Sequence, residues 1–395
     1  MTARTGHDRS TSVAWLVTTC ISVLVIGACA RSTATPQTAT RPVPAATLRD
    51  ASDAKLPALH GRLAELEFDG AALRGNLLGD SSVRTATVYL PPAYAREPGR
   101  RFPVIYSLGG FPPPPAFERA AAIGPVESMI ADIDAAIGAG RLGEVIVVHL
   151  EGRNGLGGSF WTNSPATGRW EDLVADDLVA VVDGHLHSLA DRAHRGLYGG
   201  SMGGFGAISI AMDRPEVFGT VFAQSPCCLD LVGELAPNPL WRGLIDLKAI
   251  EPARAMFEAG HPEALQVMAL AAALAPDPQR PPFYGDLPYR AVDDTIVPAE
   301  PAHSRWLAHL PLARLEHEAA GLASLRGLRI QYGRHDELVH IPLSVPAFDQ
   351  ALTAHHVPHE LSADDGGHMD FARFGRDAVP FFARTLADAA PRPAH

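Results

Sequence analysis

Lysine is nearly missing from this chain: of 33 Lys and Arg residues, only Lys55 and Lys248 are lysines. Basic charge of either kind is outweighed by 44 acidic residues, for a net charge of -11. That balance argues against a nucleic-acid or anionic-membrane surface, whose footprint is a basic patch. The bias to arginine, beside abundant Ala, Gly and Pro, reads as genomic composition and carries no function. Cysteine is scarce too, with four in 395 residues, at positions 20, 29, 227 and 228. Cys20 falls in an N-terminal apolar run, so no long-range disulfide framework is expected. Adjacent Cys227 and Cys228 leave two states open, a vicinal disulfide or two buried thiols.

The longest uncharged run of the chain lies within its first 30 residues. Arg4 and Arg9 precede "STSVAWLVTTCISVLVIGACA" (10–30), a basic start, an apolar stretch and small residues at its end. This pattern predicts an export signal over residues 1–30. "IGAC" ending at Cys29 resembles a bacterial lipobox, and "ACA" (28–30) equally fits an A-x-A cleavage site, so both a lipid-anchored and a secreted form stay open. An uncleaved anchor is the alternative. The next segment, 31–57, is rich in Thr, Pro and Ala and reads as a disordered linker. The folded domain is expected over 58–395.

What is plentiful is an alternation of short apolar runs with helical periods. "TATVYL" (85–90), "PVIYSL" (103–108), "VIVVHL" (145–150), Arg195–Tyr198 and "LRIQYG" (328–333) read as strands. The stretch near 120–140, Glu171–Asp191, Gly204–Met212, Pro346–His355 and Phe371–Ala389 read as helices. The alternation predicts an α/β fold with a mainly parallel sheet covered on both faces. From about 230 to 325 it breaks into proline-interrupted helices, read as an insertion that either caps a site or only packs.

Glycine is concentrated where chemistry is expected. "RGLYGGSMGGFGA" (195–207) sets Ser201 among six glycines, matching G-x-S-x-G between Gly199 and Gly203. A strand before and a helix after make this a nucleophile elbow rather than a flexible loop, because the strained turn leaves no room for Cβ atoms. A hydroxyl needs a base, and the base an orienting carboxylate, in the chain order Ser, acid, His. Asp336 follows a late strand and His368 follows a glycine turn, so these complete the expected triad. His335 competes for the base but comes early in that order, and Asp364 or Asp365 compete for the acid but lie close to His368. The oxyanion donors are expected at the amide of Met202 and at that of Phe111 or Gly110.

Other signals exclude more than they add. "HDELVH" (335–340) spaces its histidines five apart instead of the four of H-E-x-x-H, so no zinc site is read there. "GRNGLGGSFW" (152–161) lacks the Lys-Ser/Thr of a P-loop and reads as a loop rimming the pocket, in which Phe160 and Trp161 either line the substrate site or pack. No metal and no cofactor are called for.

Together "ALRGNLLGDSSVRTATVYLPPAY", "GSFWTNSPATGRWEDLVADDLVAVVDGHL", "HRGLYGGSMGGFGAISIAMDRPEVF", "YGRHDEL" and "GGHMDF" resemble the putative esterase (esterase D-like) family of α/β-hydrolases, over most of residues 70–385. That family includes S-formylglutathione hydrolases, feruloyl esterases and mycolyltransferases. The resemblance implies Ser201 as nucleophile, Asp336 as acid, His368 as base, and Phe111 with Met202 as oxyanion hole. Gly109-Gly110 stands where many relatives carry His-Gly, and the insertion matches no subfamily. The expected activity is hydrolysis of a small-molecule or cell-envelope carboxylic ester through an acyl-enzyme. An acyltransferase of the mycolyltransferase type is the nearest alternative. A catalytically silent envelope binding protein, marked by a broken triad, is the alternative of another class. Substrate identity and oligomeric state are not legible.

Overall fold

The computed structural model describes residues 43–115, 124–368, 370 and 372–388. Among these, nine strands form one sheet. In chain order they are β1 (Ala46–Asp50), β2 (Arg62–Asp69), β3 (Val83–Leu90), β4 (Val104–Leu108), β5 (Ile146–Leu150), β6 (Arg195–Gly200), β7 (Thr220–Gln224), β8 (Gly327–Gly333) and β9 (Glu360–Asp364). In space the order is β1-β2-β3-β5-β4-β6-β7-β8-β9. β1, β2 and β3 run antiparallel to their neighbours, and everything from β5 to β9 is parallel.

The apolar runs are continuous because both sheet faces are covered. Along β4, Val104, Tyr106 and Leu108 enter one core cluster while Ile105 enters the other. Val221 and Ala223 of β7 likewise face away from Phe222. The smaller cluster is closed by α1 (Pro125–Gly138) and by α9 (Val379–Thr385), through Ile133, Phe381 and Phe382. The larger is closed by α2, which runs from Trp170 to His185 with a π-helical stretch at Leu173–Leu178, and by α3 (Met202–Asp213).

Two expected boundaries change. The linker expected over 31–57 is too long, since Ala46–Asp50 pairs antiparallel with β2, Leu48 opposite Leu66. As an edge strand it shows only Leu48 as a large apolar residue, so no period announces it. The helix expected through Asp191 stops at His185, where the chain turns extended at Leu186 and Ser188 bridges to Phe102. Leu186 caps this helix, its amide still bonded to the Val182 carbonyl at 2.9 Å, and the pairing with Phe102 begins at the His187 carbonyl, so the apolar period runs on past the helix end.

The stretch from 230 to 325 holds α4 (Ile250–Glu258), α5 (Glu263–Leu274), a hairpin of Tyr289–Val292 with Thr295–Pro298, α6 (Ala302–His309) and α7 (Pro311–Ala323). α7 approaches α3 so closely that a Cβ on Gly321 would meet the Met212 carbonyl at 2.7 Å. It is therefore the sheet-covering helix before β8, and the insertion proper ends near Leu310. The last strand is followed by a π-helical turn at Phe374–Ala378 that leads into α9. Residues 1–42, which hold the expected signal and Cys29, lie outside the described residues. Among the described residues no helix is long and apolar enough to cross a membrane.

Candidate active site

β4 and β6 are parallel neighbours, with Leu108 opposite Gly199. Their C-terminal loops therefore leave the sheet side by side, one carrying Gly109–Phe111 and the other Ser201. Ser201 sits at φ 55°, ψ -119°, a conformation that a side-chain-bearing residue holds only under strain. Its amide is fixed by the Gln224 carbonyl at 2.9 Å, and its carbonyl accepts from Phe205 at 3.0 Å and from Cys227 at 3.2 Å. The flanking glycines have a steric cause. A Cβ on Gly199 would fall 2.0 Å from the Gly203 carbonyl oxygen, and one on Gly203 would fall 2.1 Å from that of Leu108. The chain turns from strand to helix too tightly for either.

Asp336 follows β8 and is 5% exposed. Its Oδ2 lies 2.8 Å from His368 Nδ1, and its Oδ1 accepts the Leu338 amide at 3.0 Å. The His368 amide donates to Glu337 Oε2 at 2.8 Å, so backbone and ring of this histidine are both held by the acid loop. Gln224 joins this loop to the elbow: its carbonyl fixes Ser201, while its side-chain amide donates to the Asp370 carbonyl at 3.4 Å.

The competing residues are engaged elsewhere. His335 is exposed, its Nδ1 2.8 Å from the Asp365 carbonyl. Asp365 pairs with Arg334 at 2.9 Å. Asp364 binds Arg373 Nη2 at 2.6 Å and accepts the Gly366 amide at 3.0 Å. Hydrogen bonding from the buried Arg373 guanidinium holds the Asp364 carboxyl well below the usual range, against the opposing effect of burial. Asp364 thus anchors the glycine turn that delivers His368, while Asp336 is the carboxylate bonded to the ring.

Met202 begins α3, whose first amides lack intrahelical partners and carry the positive end of the helix dipole. From the β4 loop, Gly110 comes close enough that its Cβ would lie 3.6 Å from Ser201 Cβ. The Phe111 ring packs against Phe160 and Phe257 at centroid distances of 6.1 and 6.3 Å. Helix α4 supplies Phe257, so the insertion reaches the loop beside Ser201. Phe160 and Trp161 are 2% and 0% exposed, and the Trp161 indole donates to the Gly109 carbonyl at 3.1 Å. Of the two roles open to them, packing beneath this loop is what the geometry shows. Trp161 also borders a separate polar cavity, with Glu171, Ser209, Asp213, His309 and Arg314, that excludes Ser201, Asp336 and His368.

A second cluster, which sequence spacing did not announce, lies behind the elbow. Cys227 and Cys228 have free, buried sulfurs 2.9 Å apart. His340, at the start of α8 (His340–Ala354), is buried beside them and is bonded through Nδ1 to Glu234 at 2.7 Å. Burial pushes the Cys227 thiol up, but contact with Cys228 and with His340 outweighs it, so the thiol lies below its ordinary range. Burial, then Cys227, drive Cys228 upward.

A nine-stranded, mostly parallel sheet with a strained serine elbow between strand and helix defines an α/β-hydrolase. Residues 81–392 match the family model described as "Putative esterase", and the chain belongs to that family; it is a carboxylic ester hydrolase. An S-formylglutathione hydrolase from Agrobacterium tumefaciens is similar in structure, with 16% identity and a TM-score of 0.53 over 84% of this chain and 97% of that one. A ferulic acid esterase from Anaeromyces mucronatus shows 14% identity and a TM-score of 0.49, over 86% and 95% of the two chains. The fluorophosphonate-binding serine hydrolase F of Staphylococcus aureus shows 16% identity and a TM-score of 0.48, over 81% and 96%. No curated protein matches the chain.

Proposed function

We propose that this protein hydrolyses a carboxylic ester through an acyl-enzyme on Ser201, with His368 as general base and Asp336 as the carboxylate that orients it. The observation that carries this reading is the 2.8 Å bond between His368 Nδ1 and the buried Asp336, beside a serine held at φ 55°. Asp336 fixes the tautomer that leaves Nε2 to take the serine proton. Attack on the ester carbonyl gives a tetrahedral oxyanion, received by the amides of Met202 and of Phe111 or Gly110. His368 returns the proton to the leaving alcohol, and water, deprotonated by the same ring, releases the acid. The net reaction consumes one water and yields one alcohol and one acid.

The basic start and apolar run of residues 1–30 support export, with Cys29 as the lipidation point if the lipobox is used. Transfer of the acyl group to an added alcohol in place of water uses the same intermediate. Product analysis with and without that alcohol separates an acyltransferase from a hydrolase.

The test is intact mass after incubation of the purified protein with a fluorophosphonate. One adduct on wild type and none on Ser201→Ala is expected, with ester turnover falling by about 10⁴-fold or more in the variant. No adduct on folded wild type, or near wild-type turnover by the variant, would sink the mechanism and favour a silent binding protein.

A further inference from the structure

The Cys227, Cys228 and His340 side chains meet from two segments more than a hundred residues apart. Their ligand atoms all lie within 4.8 Å of one another, and each residue is at most 5% exposed. His340 Nε2 is buried with no nitrogen or oxygen partner and has the Cys227 sulfur as its polar neighbour, while Nδ1 is held by Glu234 Oε1 at 2.7 Å and the His340 amide by Glu234 Oε2 at 2.9 Å. A carboxylate on one imidazole nitrogen fixes the tautomer that presents the other as a lone pair, which is how metal-binding histidines are oriented. That lone pair faces two sulfurs.

We propose that Cys227 Sγ, Cys228 Sγ and His340 Nε2 form a binding site for a thiophilic divalent d¹⁰ cation of the zinc type. At metal–sulfur and metal–nitrogen distances of about 2.3 and 2.0 Å, tetrahedral ligand atoms stand roughly 3.5–3.8 Å apart. The sulfurs, now at 2.9 Å, need to separate by only about 1 Å to reach this spacing. Charge selects the ion. Binding displaces the two protons that the Cys227, Cys228 and His340 group holds, so two thiolates, a neutral imidazole and a divalent cation sum to zero, with the part-exposed Glu234 carboxylate left to solvent; a monovalent ion adds one more uncompensated charge.

The role of such an ion is to fasten two loops. Cys227 donates its amide to the Ser201 carbonyl, and His340 lies four residues after Asp336. The ion would join the floor of the elbow to the helix start that follows the acid. It takes no part in the ester chemistry.

The test uses the full chain carrying Cys20→Ser and Cys29→Ser, so that Cys227 and Cys228 are its only thiols. The protein is reduced, stripped with a chelator, confirmed to hold two free thiols, and titrated with Cd²⁺ both folded and during refolding. The expected result is a thiolate-to-cadmium ultraviolet band that saturates at one equivalent, is displaced by Zn²⁺, and accompanies a rise in Tm. His340→Gln should weaken binding by about tenfold to a hundredfold, and Glu234→Gln by about tenfold. Cys227→Ser with Cys228→Ser should abolish the band; should that pair misfold, the His340→Gln affinity loss decides. No saturable band on the reduced wild type, or equal affinity in His340→Gln, overturns the site. So does a band that persists in the double cysteine variant.

Discussion

His368 and His340 are built alike and placed differently. Each ring is bonded through Nδ1 to a carboxylate, Asp336 at 2.8 Å and Glu234 at 2.7 Å. Each also has its backbone amide bonded to a carboxylate, from Glu337 and Glu234 respectively. The side chains differ in exposure, 14% for His368 and 5% for His340. The second nitrogen of His340 faces a pair of sulfurs, whereas His368 is held beside the acid loop at the end of a glycine turn. One motif, a carboxylate fixing an imidazole tautomer, thus occurs at a partly exposed position and at a buried one; on the readings proposed above it would serve a proton carrier at the first and a metal ligand at the second. Orientation alone does not make a catalytic base; access and the facing nucleophile do.

The largest expected effect separates the two directly. Asp336→Asn should lower kcat/KM for an activated ester by about 10³–10⁴-fold, because the amide favours the wrong tautomer of His368. Glu234→Gln should leave kcat/KM within about threefold, because His340 faces no reacting atom. Equal losses in the two variants would mean that the buried histidine takes part in the chemistry, and the distinction would fail.

Much of this was open to reading from the chain, and the reasons are local. Ser201 is legible because its glycines are forced by contacts within a few residues and by the neighbouring strand. The pairing of Asp336 with His368 is legible because the two follow the last two strands of the sheet, in the order that this fold sets. The interior strands announce themselves through apolar runs, since two covered faces demand them. β1 and β9 do not: "ATLRD" and "ELSAD" sit at the sheet edges and bury little. The hairpin inside the insertion is short and mostly exposed, and it escaped for the same reason. The Cys227, Cys228, His340 and Glu234 cluster was illegible in another way. Glu234 and His340 are 106 positions apart, and the spacing within "HDELVH" points at His335, whose ring is bonded elsewhere.

A second prediction tests the rival acid. Asp364→Asn should leave the chemistry of the His368–Asp336 pair intact but reduce stability by about 3–5 kcal/mol, because Arg373 is then left buried without its main charge partner. In a chain of this size that is a fall in Tm of about 5 °C. Denaturation midpoints and residual kcat at 20 °C below the new Tm separate the two effects. A variant as stable as wild type but inactive would make Asp364 the functional carboxylate.

The same pair gives the pH dependence. The Asp364 carboxyl is held below its ordinary 3.8 chiefly by Arg373. A depressed folded pKa contributes stability that is complete above the unfolded value and lost as pH falls below it. Wild-type Tm should therefore drop increasingly below about pH 4, and the Asp364→Asn curve should lack that component. Parallel curves for the two proteins would show that Asp364 does not carry it.

The smallest expected effect concerns how His340 is seated. Gly233 lies at φ +61°, and a Cβ there would stand 2.8 Å from the His340 amide nitrogen. That amide is bonded to Glu234, the next residue, so the left-handed turn at Gly233 is what lets one carboxylate reach both the amide and the ring of His340. Gly233→Ala must adopt a conformation that L residues disfavour and push the helix start away, at a cost of about 1–3 kcal/mol. Because α8 follows the acid loop directly, a displaced helix start tests whether the two histidines are mechanically independent. With the elbow and Asp336 anchored by their own bonds, kcat should change by less than about threefold at 25 °C while Tm falls by several degrees. A loss of kcat that outruns the loss of stability would show that the seat of the buried histidine sets the position of the acid, joining two sites that the static geometry keeps apart.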